Sequence, residues 1–212
     1  MKFGGNALAA AFLMMSWALL GGALLAARLR GRRAAVVSAP GASAVPVDAP
    51  APRRDLQSWG GLALQGVGFA LVWGVKPGSG SFWSGASPLA LTWFSLSGGM
   101  FALLSSAFGV LAVRELGKQW SLTARTLANH ELITSGPFGR VRHPIYSALL
   151  GMLLGTGLVL STASATALGA LVYLLGTHWR ATREEALLRA HFGAAYEDYA
   201  RRVPRLIPRP WR

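Results

Sequence analysis

Polar side chains able to do chemistry gather in two short stretches of this 212-residue chain. The first reads His130-Glu131-Leu132-Ile133-Thr134-Ser135-Gly136-Pro137-Phe138-Gly139-Arg140-Val141-Arg142-His143-Pro144-Ile145-Tyr146. Gly136-Pro137 forces a turn, and Pro144 suits the first turn of a helix, where its missing N–H is not needed. Arg142 and His143 then fall at a helix N-terminus, whose N–H groups favour a carboxylate or phosphate. The second stretch holds Arg180, Arg183, Glu184 and Glu185. If the two stretches meet, a cation faces a carboxylate across one pocket, which suits a zwitterion such as an amino acid moiety.

The competing reading is that such charges only flank membrane helices and snorkel to the headgroups. That reading is preferred for Arg201, Arg202, Arg205, Arg209 and Arg212; Arg142-His143-Pro144 with Glu184-Glu185 is read as functional. Metal is not expected. His130 and His143 are separated by a loop containing Pro137, His178 and His191 lie 13 apart, and no cysteine occurs, so no zinc pattern is formed. The absence of cysteine also removes disulfides and thiolate catalysis.

The elements that must position these residues follow from where charge is missing. No Asp, Glu, Lys or Arg occurs in 3–27, 56–75, 77–113 or 143–179, and a bilayer crossing needs roughly 20 apolar residues. The third stretch opens with loop-like Pro77-Gly78-Ser79-Gly80-Ser81, so its helix should run from Leu89 to Val113. The fourth is too long for one helix and is broken at Ser161-Thr162-Ala163-Ser164, which predicts a tight hairpin. The hairpin returns the exit of its second arm, with Glu184 and Glu185, beside the entrance of its first, with Arg142 and His143. The expectation is an all-α, polytopic transmembrane bundle of about five spans. Beyond Trp179, Leu187, Leu188, Phe192, Tyr196 and Tyr199 mark one face of an amphipathic helix over 180–202, able to roof the site from the cytoplasmic face.

The net charge is +13, although only 14% of residues are charged and 52% are hydrophobic. Such a charge suggests nucleic acid, but the basic residues lie at helix ends, so that partner is excluded and membrane lipids are expected instead. Five spans put 19 of the 21 basic residues and all eight acids on one side, which the positive-inside rule makes cytoplasmic. The expected place is the cell (inner) membrane, with the site facing the cytoplasm. Residues 1–30 form an N-terminal transmembrane helix, read as a retained anchor because an arginine block follows it directly. Residues 31–55, rich in Ala, Pro, Val and Ser, form a flexible linker, and 56–212 form the functional domain. Glycines in the spans, among them Gly60, Gly61, Gly66, Gly68, Gly98, Gly99, Gly151, Gly155 and Gly157, suit close helix packing.

The run from His130 to Leu150, with the later Arg183-Glu184-Glu185 and Phe192-Gly193-x-x-Tyr196-x-x-Tyr199, resembles the isoprenylcysteine carboxyl methyltransferase family over roughly 115–208. Leu116-Gly117-Lys118-Gln119-Trp120-Ser121 is similar to the family's stretch before its first motif. The resemblance implies a membrane enzyme that uses S-adenosylmethionine. It implies that His130, Leu132, Gly136, Pro137, Phe138, His143, Pro144 and Tyr146 belong to the cofactor pocket. Glu184 would lie near the cofactor's amino acid end together with Glu185, and Arg142 is a further candidate. Arg180 would orient the substrate near a reacting carboxylate, and Tyr196 and Tyr199 would belong to the roof. Phe138 stands where the family often has Tyr, and Ala148 where it often has Gly.

Methyl transfer from a sulfonium needs chiefly alignment and exclusion of water, so neither a triad nor a metal is required. A polar cofactor would enter from the cytoplasm and a lipophilic substrate from the bilayer. A carboxylate acceptor would be positioned by Arg180; an amine or thiol would need a base, with Glu185 or His143 the candidates. The alternatives are a phospholipid or small amine or thiol methyltransferase and, from another class, a non-catalytic membrane scaffold.

Overall fold

The computed structural model describes residues 7–37, 56–75, 87–117 and 131–208. Their regular elements are all helical: α1 (Ala7–Val37), α2 (Leu56–Gly74), α3 (Pro88–Leu116), a 3-10 turn (Gly136–Gly139), α4 (Pro144–Leu160), α5 (Ala163–Phe192) and α6 (Ala194–Arg202). Two stretches, Ala7–Arg30 and Pro88–Leu116, are long and apolar enough to cross a bilayer, and α4 is apolar but shorter. Large apolar side chains point outward, with Trp93 65% and Leu104 62% exposed. Water would penalise that surface and lipid tails accept it. The molecule is an all-helical membrane bundle.

Local sequence explains the boundaries. Ser87 Oγ accepts from the Ala90 N–H at 3.3 Å and Pro88 fills the first turn of α3. Thr162 Oγ1 accepts from the Ala165 N–H at 3.2 Å, starting α5 almost directly after α4 ends at Leu160. The break expected at Ser161-Thr162 is therefore a hairpin with almost no connecting chain.

Helices associate along seams of small residues. A methyl group on Gly68 of α2 would come within 2.6 Å of the Gly169 carbonyl oxygen of α5, and one on Gly61 within 2.9 Å of that of Gly176. Between α3 and α4, Gly155 approaches the Gly98 carbonyl in the same way, at 2.5 Å. Ala148 is buried against Gly109 of α3, where an added methyl would meet its Cβ at 2.8 Å. The small partner has simply moved to the facing helix. Val72, Leu153 and Tyr173 form the fully buried centre, and Trp17 of α1 closes over it, edge-on to Phe69 at 5.1 Å.

Two boundaries differ from expectation. Helix α1 continues to Val37, into the segment assigned to the linker, because its Ala and Arg residues are good helix formers; residues 38–55 lie outside the described residues. The helix expected over 180–202 is two: α5 runs through Phe192, and Gly193, at φ 53°, turns the chain into α6. Only glycine adopts that left-handed conformation at little cost.

Candidate active site

The chain reaches the site through the turn before α4. Gly136, at φ 56°, passes beside the Glu115 carboxylate at the end of α3, and Ser135 Oγ donates to that carboxylate. The 3-10 turn then closes on itself through Phe138 N–H to Ser135 O at 3.0 Å. His143 caps α4 and Pro144 begins it, so the side chains of residues 142, 143 and 146 reach the C-terminal turns of α5.

There the two sequence clusters meet. The buried Glu185 carboxylate accepts at Oε1 from Arg142 Nη2 at 3.1 Å and lies 3.1 Å from His143 Nε2. Arg205 engages both of its oxygens, Nε to Oε1 at 2.9 Å and Nη2 to Oε2 at 2.7 Å. Arg189 adds a contact to Oε2 at 3.5 Å. Glu184, partly exposed, takes a different set. The Tyr146 hydroxyl donates to it, His143 Nδ1 lies 3.5 Å away and Arg180 Nη2 3.9 Å away. Arg180 also donates to Gln65 Oε1 at 3.2 Å and lies over the Tyr146 ring at 5.4 Å. Gln65 in turn donates to Thr177 at 2.8 Å.

The roof is α6 with the strand-like tail after it. Arg142 and His143 donate their backbone N–H groups to the carbonyls of Pro204 at 2.8 Å and Arg205 at 3.1 Å. These donors, expected to face an anion, are therefore occupied by the tail. Tyr199 donates to the Phe138 carbonyl at 2.8 Å, tying the roof to the Gly136–Gly139 turn. Tyr196 is fully buried, with its hydroxyl unpartnered among the described residues.

Burial alone would raise the Glu185 pKa, but hydrogen bonds from His143 and Arg205 and the charges of Arg142 and His143 outweigh it. The carboxyl is held well below the usual range. For His143, burial opposes the charge, yet hydrogen bonds to Glu184 and Glu185 and their negative charges raise its pKa above the ordinary 6.5. Burial, with the nearby Glu185 charge, pushes the Tyr196 phenol up to about 12.

Of the residues expected at the site, Arg142, His143, Tyr146, Arg180, Glu184 and Glu185 converge in this cluster, with Pro144 buried beneath them as the start of α4. Gly136, Pro137 and Phe138 form the adjoining turn, reached through Tyr199, and Leu132 lies half-buried in the segment before it. His130 lies outside the described residues. Among the described residues no group of three or more His, Asp or Glu side chains is arranged to hold a metal ion.

Three contributors were missed. Gln65 carried a signal, an amide in the middle of an apolar span. Gly61 leaves room for Arg180, whose Cγ an added methyl would meet at 2.6 Å. Arg205 gave none, and its assignment to the headgroups is corrected: it turns inward because a buried carboxylate offers its guanidinium two acceptors.

Comparison with known proteins places this geometry. Residues 99–190 match the family model described as isoprenylcysteine carboxyl methyltransferase (ICMT) family. A protein-S-isoprenylcysteine O-methyltransferase of Schizosaccharomyces pombe is 35% identical over 99 residues, 46% of this chain and 42% of that protein. The cobalt-zinc-cadmium resistance protein CzcN of Cupriavidus metallidurans is 32% identical over 100 residues, 47% of this chain and 46% of that one. The match thus spans less than half the length of either relative. The solved structure of the eukaryotic intramembrane Ras methyltransferase ICMT shares the fold, with a TM-score of 0.53 at 21% identity, covering 91% of this chain and 67% of that one. The matched region holds α3 from Gly99, all of α4, α5 as far as Ala190 and both charged clusters. Over residues 99–190 this chain is similar to the isoprenylcysteine carboxyl methyltransferase family.

Proposed function

We propose that the chain is an S-adenosylmethionine-dependent methyltransferase of the membrane, acting on a lipophilic acceptor whose methylated group is a carboxylate. Its donor set suits that cofactor. Glu184 offers a carboxylate for an ammonium, His143 and Arg180 offer cations for a carboxylate, and the buried Tyr196 hydroxyl lacks a partner among the described residues. When bound, the cofactor supplies an electrophilic methyl group on a sulfonium. Glu184, Tyr146 and His143 would hold its amino acid end, Arg180 would orient the acceptor, and α6 would exclude water from above. Leu132, Gly136, Pro137 and Phe138 would wall the pocket through the turn that Tyr199 holds.

One observation favours a carboxylate over an amine or thiol. Both candidate bases are already engaged: Glu185 is held by Arg142, His143, Arg189 and Arg205, and His143 sits between Glu184 and Glu185, whose charges raise its pKa. An amine or thiol would need a base to lose its proton, whereas a carboxylate is already anionic near neutral pH. Glu185 is then a positioning residue rather than a proton acceptor. An apolar seat for the acceptor is offered between α2 and α5. A groove of about 340 Å³ along α2 and α5 is lined by Leu64, Leu175, His178, Trp179, Thr182 and Arg183. The reading carries five crossings by α1 to α5, with the site on the cytoplasmic face of the cell membrane.

The test is transfer of labelled methyl from S-adenosylmethionine to lipid extracts by purified protein in nanodiscs. The expected product releases labelled methanol in mild base, as a methyl ester does. Base-stable label would replace the carboxylate with an amine or thiol acceptor. Folded protein that binds neither S-adenosylmethionine nor S-adenosylhomocysteine would leave the scaffold alternative.

A further inference from the structure

Arg205 lies in a proline-bounded tail beyond the last helix, and its position is built rather than incidental. Backbone bonds from Arg142 and His143 to the carbonyls of Pro204 and Arg205 lay the tail across the entrance of α4. Ser147 Oγ extends this pairing by donating to the Leu206 carbonyl at 2.6 Å. The Arg142 guanidinium donates back to the Ala200 carbonyl at 2.6 Å and to that of Val203 at 3.2 Å. The strap therefore points the Arg205 side chain at Glu185.

Among the cations around Glu185, Arg142 and His143 touch Oε1 and Arg189 touches Oε2. Arg205 alone spans both oxygens. A two-pronged bond fixes the plane of a carboxylate as single contacts do not. The third nitrogen, Nη1, rests against His178 Nδ1 at 3.3 Å and Thr182 Oγ1 at 3.4 Å, bracing the fork against α5. The fixed Oε1 meets His143 Nε2, and the other ring nitrogen of His143 faces Glu184.

We infer that Arg205 is a positioning residue of this site: seated by the 203–206 strap, it orients Glu185, which orients His143 toward the ligand-facing Glu184. The inference rests on the methyltransferase reading for the identity of that ligand. It makes the docked tail a working wall of the site, whose release loosens ligand binding.

The experiment uses the full chain in nanodiscs and measures S-adenosylhomocysteine affinity by calorimetry for wild type, Arg205→Ala, Arg205→Lys, Glu185→Gln and the Arg205→Ala/Glu185→Gln double variant. Because the chain lacks cysteine, Leu206→Cys gives a single maleimide target that reports strap docking. Arg205→Ala is expected to weaken binding about tenfold and to speed labelling, with Arg205→Lys intermediate. In the Glu185→Gln background Arg205→Ala should add nothing, since its effect passes through Glu185. The alkaline pH at which affinity falls should move upward in Arg205→Ala. One fewer cation then shares Glu185 with His143, while Arg142, Arg189, Glu184, Tyr146 and Tyr196 are unchanged around it.

Wild-type affinity in Arg205→Ala, or an undiminished loss in the double variant, overturns the proposal. If wild type binds no S-adenosylhomocysteine, the methyltransferase reading fails, and labelling decides separately. Faster labelling in Arg205→Ala then supports the strap's dependence on Arg205, and an unchanged rate rejects it.

Discussion

Glu184 and Glu185 are neighbours in the chain with different surroundings, and substitution should separate them. Glu185 is wholly buried among Arg142, His143, Arg189 and Arg205. Removing its charge strands those cations, so Glu185→Gln is expected to destabilise the bundle by about 3–5 kcal/mol, read as a fall in melting temperature. Glu184 keeps 26% of its side chain exposed, and Glu184→Gln should lose ligand affinity while stability changes by less than about 1 kcal/mol. Both residues were legible as site candidates, because paired carboxylates beside a membrane helix are unusual. Their division of labour was not, since it depends on which way one turn of α5 faces. Arg205 was illegible for a related reason: nothing local says that a proline-bounded tail returns to pair with residues 142 and 143.

At the level of elements, the seam between α2 and α5 carries the site as much as the charges do. Gly61 and Gly66 lie on the same helix, but only the first faces α5 closely. An alanine at 61 would press on Arg180 Cγ and the Gly176 carbonyl, whereas Gly66 has nothing within 4 Å. Gly61→Ala should therefore move Arg180 away from Glu184 and reduce ligand affinity, as calorimetry would show. Gly66→Ala should leave affinity intact and raise stability by up to about 1 kcal/mol through helix propensity. The hairpin of α4 and α5 was readable in advance, because a charge-free run too long for one helix must fold back where Ser161 and Thr162 interrupt it. The amphipathic pattern over 180–202 concealed the break at Gly193, since a helix followed by a turn and a second helix can keep its apolar residues at helical spacing.

Over the whole molecule, the ion cluster ties stability to pH from two sides. The raised pKa of His143 means that its contribution is complete below 6.5 and is lost as pH climbs through the higher folded value. The lowered pKa of Glu185 means that its contribution is complete above 4.5 and is lost as pH falls toward the lower folded value. Melting temperature should be highest between those limits and fall on either side, and the alkaline fall is the one that His143→Gln should abolish. The overall plan, an all-helical membrane bundle, was visible in the placement of the charges alone. The seating of one helix against another was not, because it is set by which small residues meet across each seam.

The cations around Glu185 are three arginines and one histidine, and the sequence holds only three lysines, Lys2, Lys76 and Lys118, all distant in sequence from both charged clusters. Reagents that acylate amines should therefore decorate the protein without touching its ion cluster, giving a route to dyes or surface tethers on an active molecule. Dicarbonyl reagents, which condense with guanidinium groups, should do the reverse. Phenylglyoxal inactivation, slowed by S-adenosylhomocysteine, would mark the cluster by its chemistry alone.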